Sequence, residues 1–162
     1  MSTCCASDTK GQPCAPLAPT GGQDTRRCPA CGGEGKTVAV QTVRALVAVS
    51  LREVRGQHYR FCATPTCAVV YYEADTGASF TRDQLRERVY QKEPGCGDIL
   101  ICYCFQHTAG AVQGGDHERR EAIIADITAG IKADQCACDL RNPQGSCCLG
   151  NVRGLVRRLA QQ

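Results

Sequence analysis

Cysteine is the residue type in this chain with the means to do chemistry. Fourteen of the 162 residues are cysteine, and most stand in close pairs: Cys28-x2-Cys31, Cys62-x4-Cys67, Cys102-x-Cys104, then Cys136-Ala-Cys138 and Cys147-Cys148. Pairs so close in sequence close disulfides poorly within themselves, whereas a thiolate is a strong ligand for zinc, iron and copper(I). Metal binding therefore takes precedence over a disulfide framework.

The first two pairs read as one site. Cys28-Pro29-Ala30-Cys31-Gly32 has the form of a zinc knuckle, whose glycine permits the turn that aims backbone N–H groups at sulfur. Its partner is Phe61-Cys62-Ala-Thr64-Pro65-Thr-Cys67. Cys28, Cys31, Cys62 and Cys67 thus form a zinc-ribbon-like ligand set. Four thiolates leave no open position, so the ion would be structural.

The last pairs read as a second site. Asn142-Pro143-Gln144-Gly145 lies inside the Cys136–Cys148 segment; Pro143 fixes φ and Gly145 permits the left-handed region, so the turn can bring Cys138 near Cys148. With Cys102 and Cys104 this makes a four-thiolate cage suited to tetrahedral zinc or to a [2Fe-2S] cluster. The tight Cys-x-Cys spacing favours the cluster, and Cys136 and Cys147 compete for ligand positions.

The intervening sequence must position these groups. Thr37–Val40, Val43–Val49, Gly56–Phe61 and Ala68–Glu73 are rich in β-branched and aromatic residues and are expected to be strands. Thr81 and Gln84 form a capping box for a helix running to Pro94-Gly95, with Leu85, Val89 and Tyr90 as its apolar stripe. Thr108 caps a short turn. A helix from Asp116 to about Ala133 carries Ile123, Ile124, Ile127 and Ile131 on one face. The last helix starts near Leu149, with Val152, Leu155, Val156 and Leu159 inward and Arg153, Arg157 and Arg158 outward. Cys148 then faces the positive end of that helix.

Cys102-x-Cys104, a gap holding a helix, then Cys138-x4-Pro-x-Gly-x-Cys-Cys148 resembles the iron–sulfur half of the amino-terminal domain of CopZ-type copper chaperones, itself similar to the bacterioferritin-associated ferredoxin module. Tyr59-x-Phe61-Cys62 and Cys67-Ala-Val-Val-Tyr-Tyr resemble that family's zinc half. The resemblance runs from about Cys28 to Leu159. Matched position by position, it implies Cys102, Cys104, Cys138 and Cys148 as the ligands of a [2Fe-2S] cluster, beside Zn2+ in the first site. It further implies handling of Cu+, with a copper-transporting ATPase or a separate copper-binding domain as partner and the cluster able to reduce Cu(II) before transfer. The family's Met-x-Cys-x-x-Cys copper motif does not occur in this sequence. Three roles stay open: copper passed through a separate domain, another soft metal taken by Cys4, Cys5 and Cys14, or electron transfer alone.

Composition narrows the class further. The formal charge is +3 with basic residues scattered, which gives no reason to expect nucleic acid. Residues 1–27 are polar, broken by Pro13, Pro16 and Pro19, and lack the apolar stretch of a signal peptide; a cytoplasmic location without membrane insertion is expected. His58, His107 and His117 show no catalytic spacing, so a metallochaperone or electron-transfer protein is expected ahead of a dedicated enzyme. A zinc-ribbon regulator is the other class. The expected architecture is α+β: a Cys-containing tail (1–27), a zinc-ribbon-like half (28–80), a connecting helix (81–95) and a helical cluster-binding half (96–162). Tryptophan is absent and phenylalanine numbers three, so bound metal is expected to supply part of the folding free energy.

Overall fold

A computed structural model describes residues 25–161; the tail cysteines Cys4, Cys5 and Cys14 lie outside them. The fold is α+β. Four short strands form an antiparallel sheet in the order β1 (Lys36–Val38), β2 (Tyr59–Phe61), β3 (Val69–Glu73) and β4 (Ser79–Thr81). Helix α1 (Val40–Leu46) crosses between β1 and β2. A hairpin follows, β5 (Leu100–Cys102) with β6 (His107–Thr108), and then four helices: α2 (Ala109–Gln113), α3 (His117–Lys132), α4 (Cys138–Arg141) and α5 (Leu149–Leu159).

Two expectations give way to a different local structure. Val43–Val49 is helical rather than extended over most of its length. Val40, Val43, Leu46 and Val47 are all buried; that is a spacing of three and four, which one helical face satisfies and an alternating strand does not. The connecting helix over 81–95 is likewise absent. The Thr81–Gln84 capping box forms, but it closes a single 3₁₀ turn, Arg82–Gln84, and a second 3₁₀ turn covers Tyr90–Lys92. Leu85, Val89 and Tyr90 are buried as expected, yet in an irregular segment that follows two cores in turn. Strand β4 and the one-turn helix α4 carry no sequence signal strong enough to have been expected. The helices starting near Asp116 and Leu149 form as anticipated: the Asp116 carboxylate caps α3 by accepting from Arg119 N–H at 2.8 Å.

Each half has its own apolar core. One joins Val38, Val43, Val47, Phe61, Val70, Tyr71 and Phe80 between sheet and α1. The other joins Ile99, Ile101, Val112, Ile123, Ile127, Val152 and Leu155 among β5, α2, α3 and α5. With no tryptophan, tyrosine fills the space: all five are buried, and each hydroxyl finds a partner, as burial of a polar tip demands. Tyr59 accepts from Gly56 N–H, Tyr72 donates to the Arg26 carbonyl, Tyr90 accepts from Arg158, and Tyr103 donates to the Arg88 carbonyl.

The fifth tyrosine joins the halves. Tyr71, on β3, donates to the Pro143 carbonyl at 2.7 Å, inside the Asn142–Gly145 turn. That turn sits against the first half: Gly145 has φ +66°, and a Cβ there would come within 2.7 Å of the Val38 side chain. Glycine is required both for the backbone conformation and for the approach. Helix α4 packs on α1 beside it. Replacing Tyr71 by Phe leaves the buried Pro143 carbonyl without its donor. We expect a loss of about 1–3 kcal/mol in urea unfolding, with secondary structure by circular dichroism unchanged.

Candidate metal centres

The knuckle before β1 and the loop between β2 and β3 meet at one end of the sheet. Cys28 N–H donates to the Gly33 carbonyl and Gly32 N–H to the Cys28 carbonyl, both at 2.8 Å, and Gly32 takes φ +69°. The turn directs the amides of Ala30 and Cys31 at the Cys28 sulfur and that of Gly33 at Cys31, while Val69 N–H reaches Cys67. The sulfurs of Cys28, Cys31, Cys62 and Cys67 all lie within 4.8 Å of one another. Cys28–Cys67 stand 3.9 Å apart and Cys31–Cys62 3.7 Å. A tetrahedral ion with Zn–S bonds of about 2.3 Å places neighbouring sulfurs about 3.8 Å apart, so the donor set fits zinc. Burial pushes the Cys28 thiol up to about 12, whereas the Thr64 hydroxyl holds the exposed Cys31 down at about 6.

Behind this site stands a residue that sequence reasoning passed over. Lys92 is only 4% exposed, and its ammonium donates to the Thr64 carbonyl at 2.9 Å, in the loop between Cys62 and Cys67. The same threonine's hydroxyl touches Cys31 Sγ at 3.5 Å. The Lys92 bond fixes the loop that carries Cys62 and Cys67, in the way an outer partner orients metal ligands. Nothing in the sequence marks Lys92 apart from other surface-type lysines; only closure of the fold buries it. Its neighbours work similarly: Gln91 donates to the Gln144 side chain at 2.6 Å, and Tyr90 holds Arg158 of α5. One 3₁₀ turn thus reaches the first metal loop, the Asn142–Gly145 turn and the last helix.

The second set of thiols lies where the β5–β6 hairpin turn, the start of α4 and the start of α5 converge. It divides into pairs. Cys104 and Cys138 sulfurs are 3.7 Å apart. Cys102 and Cys148 lie together in the interior, at 0% and 2% exposure. The neighbouring Cys148 lowers the Cys102 thiol to about 6, and Cys148 is itself raised by Cys102 and by burial. Amides of Phe105 and Cys104 point at Cys102, and Cys148 N–H points at Cys138. Burial pushes Cys138 up to about 12. Cys136 joins the Cys104–Cys138 side, all three sulfurs within 4.8 Å of each other; Cys147 is exposed and Cys96 half-buried.

The histidines belong elsewhere. His107 pairs with Asp126 at 2.7 Å and His58 with Asp75 at 2.9 Å. No helix among the described residues is long and apolar enough to cross a membrane.

Comparison with known proteins agrees with this geometry. Residues 25–86 match the zinc binding domain family zf_CopZ. Over 123 residues the chain is 32% identical to the copper chaperone CopZ of Archaeoglobus fulgidus; the match takes in 75% of this chain and 57% of that protein, so the chain spans little more than half of its curated relative. Among solved structures it is similar to the X-ray structure of the Archaeoglobus fulgidus CopZ N-terminal domain, with a TM-score of 0.66 and 29% identity, covering 80% of this chain and 96% of that one. Residues 25–86 are thus similar to a zinc-binding domain, and the α+β fold matches that structure.

If Lys92 supports the first site as described, Lys92→Met lowers zinc affinity about tenfold, the lower end for loss of an outer-shell partner. Competition with a colorimetric chelator measures it. Unaltered zinc release would remove Lys92 from the metal centre.

Proposed function

We propose that this is a metal-handling protein of copper traffic, with structural zinc on Cys28, Cys31, Cys62 and Cys67 and a [2Fe-2S] cluster on Cys102, Cys104, Cys138 and Cys148. One observation carries the reading. The four thiols of the first set lie within 4.8 Å of one another, as a single ion requires, whereas the second set splits into a buried pair and a half-buried pair. Two pairs suit two metal atoms, and thiolate pairs on each iron are what a [2Fe-2S] cluster takes. Such a cluster, when bound, supplies one-electron transfer.

The chain's own residues prepare the site. Cys102 and Cys148 sit on the inner side, walled by Ile99, Ile101, Ile127 and Val152. Cys104 and Cys138 face outward, half-buried, where an electron can reach a partner. The amides directed at Cys102 and Cys138 stabilise thiolate without a strong acid. Likeness to a copper chaperone supports copper as cargo and a copper-transporting ATPase as recipient. The Met-x-Cys-x-x-Cys copper motif is absent from the 162 residues, so a separate copper-binding domain would receive the ion that the cluster had reduced, in a cytoplasmic setting. An electron-transfer module docking like the bacterioferritin-associated ferredoxins uses the same cluster without copper.

A second reading has a specific observation behind it. Cys104, Cys136 and Cys138 form a compact trio, which a mononuclear zinc could take, as in a zinc-ribbon regulator. Metal analysis and visible absorption of anaerobically purified protein separate the two. We expect one zinc and two irons per chain, with charge-transfer bands lost in Cys148→Ala. A colourless protein holding two zinc ions and no iron eliminates the cluster.

A further inference from the structure

The second site has more thiols about it than the four it needs, and three of them crowd its outer side. Cys102 and Cys148 are enclosed in the second apolar core, at 0% and 2% exposure. The outer side is different. Cys104, Cys136 and Cys138 have mutual sulfur separations no greater than 4.8 Å, and all three are half-buried. Cys136 stands in the connection after α3, which ends at Lys132, and Cys138 opens the four-residue helix α4. The connection is irregular: Asp134 takes φ +53°, and Ala137 has φ −128° and ψ 52°. The Cys136 and Cys138 sulfurs both already lie within 4.8 Å of Cys104 Sγ. A residue on either side of one alanine pivot can therefore meet the same metal atom.

We propose that Cys136 and Cys138 are interchangeable ligands of the outer metal atom, so that the second centre exists in two ligation states. The inference rests on the cluster reading above. In the exchange one Fe–S bond to Cys138 breaks and one to Cys136 forms. The Cys136 proton passes to the released Cys138 sulfur, and no oxidation state changes. One thiol of the pair is then always free beside the cluster, at the half-buried face where the site meets solvent.

Alanine variants test this, because a serine oxygen could itself bind iron. The full chain is purified anaerobically as wild type, Cys136→Ala, Cys138→Ala and the double variant, with zinc content as the control for an intact fold. Both single variants are expected to keep most of the wild-type iron with visible circular dichroism spectra that differ from each other, and the double variant to lose at least half of it. Brief alkylation of wild type followed by peptide mass analysis is expected to label both positions, summing to about one label per chain. Iron as low in either single variant as in the double, or label confined to one cysteine, overturns the exchange. Wild type without iron overturns the cluster itself, a distinct outcome.

Discussion

Everything in this molecule depends on holding sulfur atoms from distant segments at contact distance. Cys28 meets Cys67 across thirty-nine positions of chain and Cys104 meets Cys138 across thirty-four. Thiols held at such distances raise one another's cost of ionising, because like charges crowd. A metal ion takes the place of the thiol protons and binds all the thiolates at once. The scaffold's task is to prevent the pairs from drifting before metal arrives.

It does so with tyrosine and with one short turn. A chain without tryptophan has built its interior from five tyrosines, and their hydroxyls tie loops that apolar rings would leave loose. Tyr71 fastens the loop of the second centre to the sheet of the first. The Tyr90–Lys92 turn extends one side chain to each of three regions that carry or flank cysteines. The two centres are consequently built into one framework, although their apolar cores are separate.

Much of this was readable in the sequence, for reasons of chemistry. The knuckle glycine at Gly32, the Asn142–Gly145 turn and the Asp116 cap are local devices whose residues determine their own geometry, and the cysteine spacings group themselves. The structure brings Cys28, Cys31, Cys62 and Cys67 together as a quartet and draws Cys102, Cys104, Cys138 and Cys148 into pairs. What the sequence concealed was tertiary. Val43–Val49 is β-branched enough to read as strand, yet packing against the sheet makes its first four residues the end of a helix. The capping box at Thr81 promised a long helix, but Leu85 and Val89 are drawn toward one core and Tyr90 toward the other, and no straight helix serves both. The burial of Lys92 depends on a loop twenty-eight residues away.

The docking of the Asn142–Gly145 turn has a temporal side. Val38, Thr42, Tyr71 and Gln91, which receive it on the side of the first half, all precede it in the chain. Protein synthesis runs from amino to carboxyl end, so the receptor has left the ribosome before Pro143 and the last cysteines emerge. Maturation is thereby given a direction: the half built on the sheet is the template on which the second cysteine set is laid down.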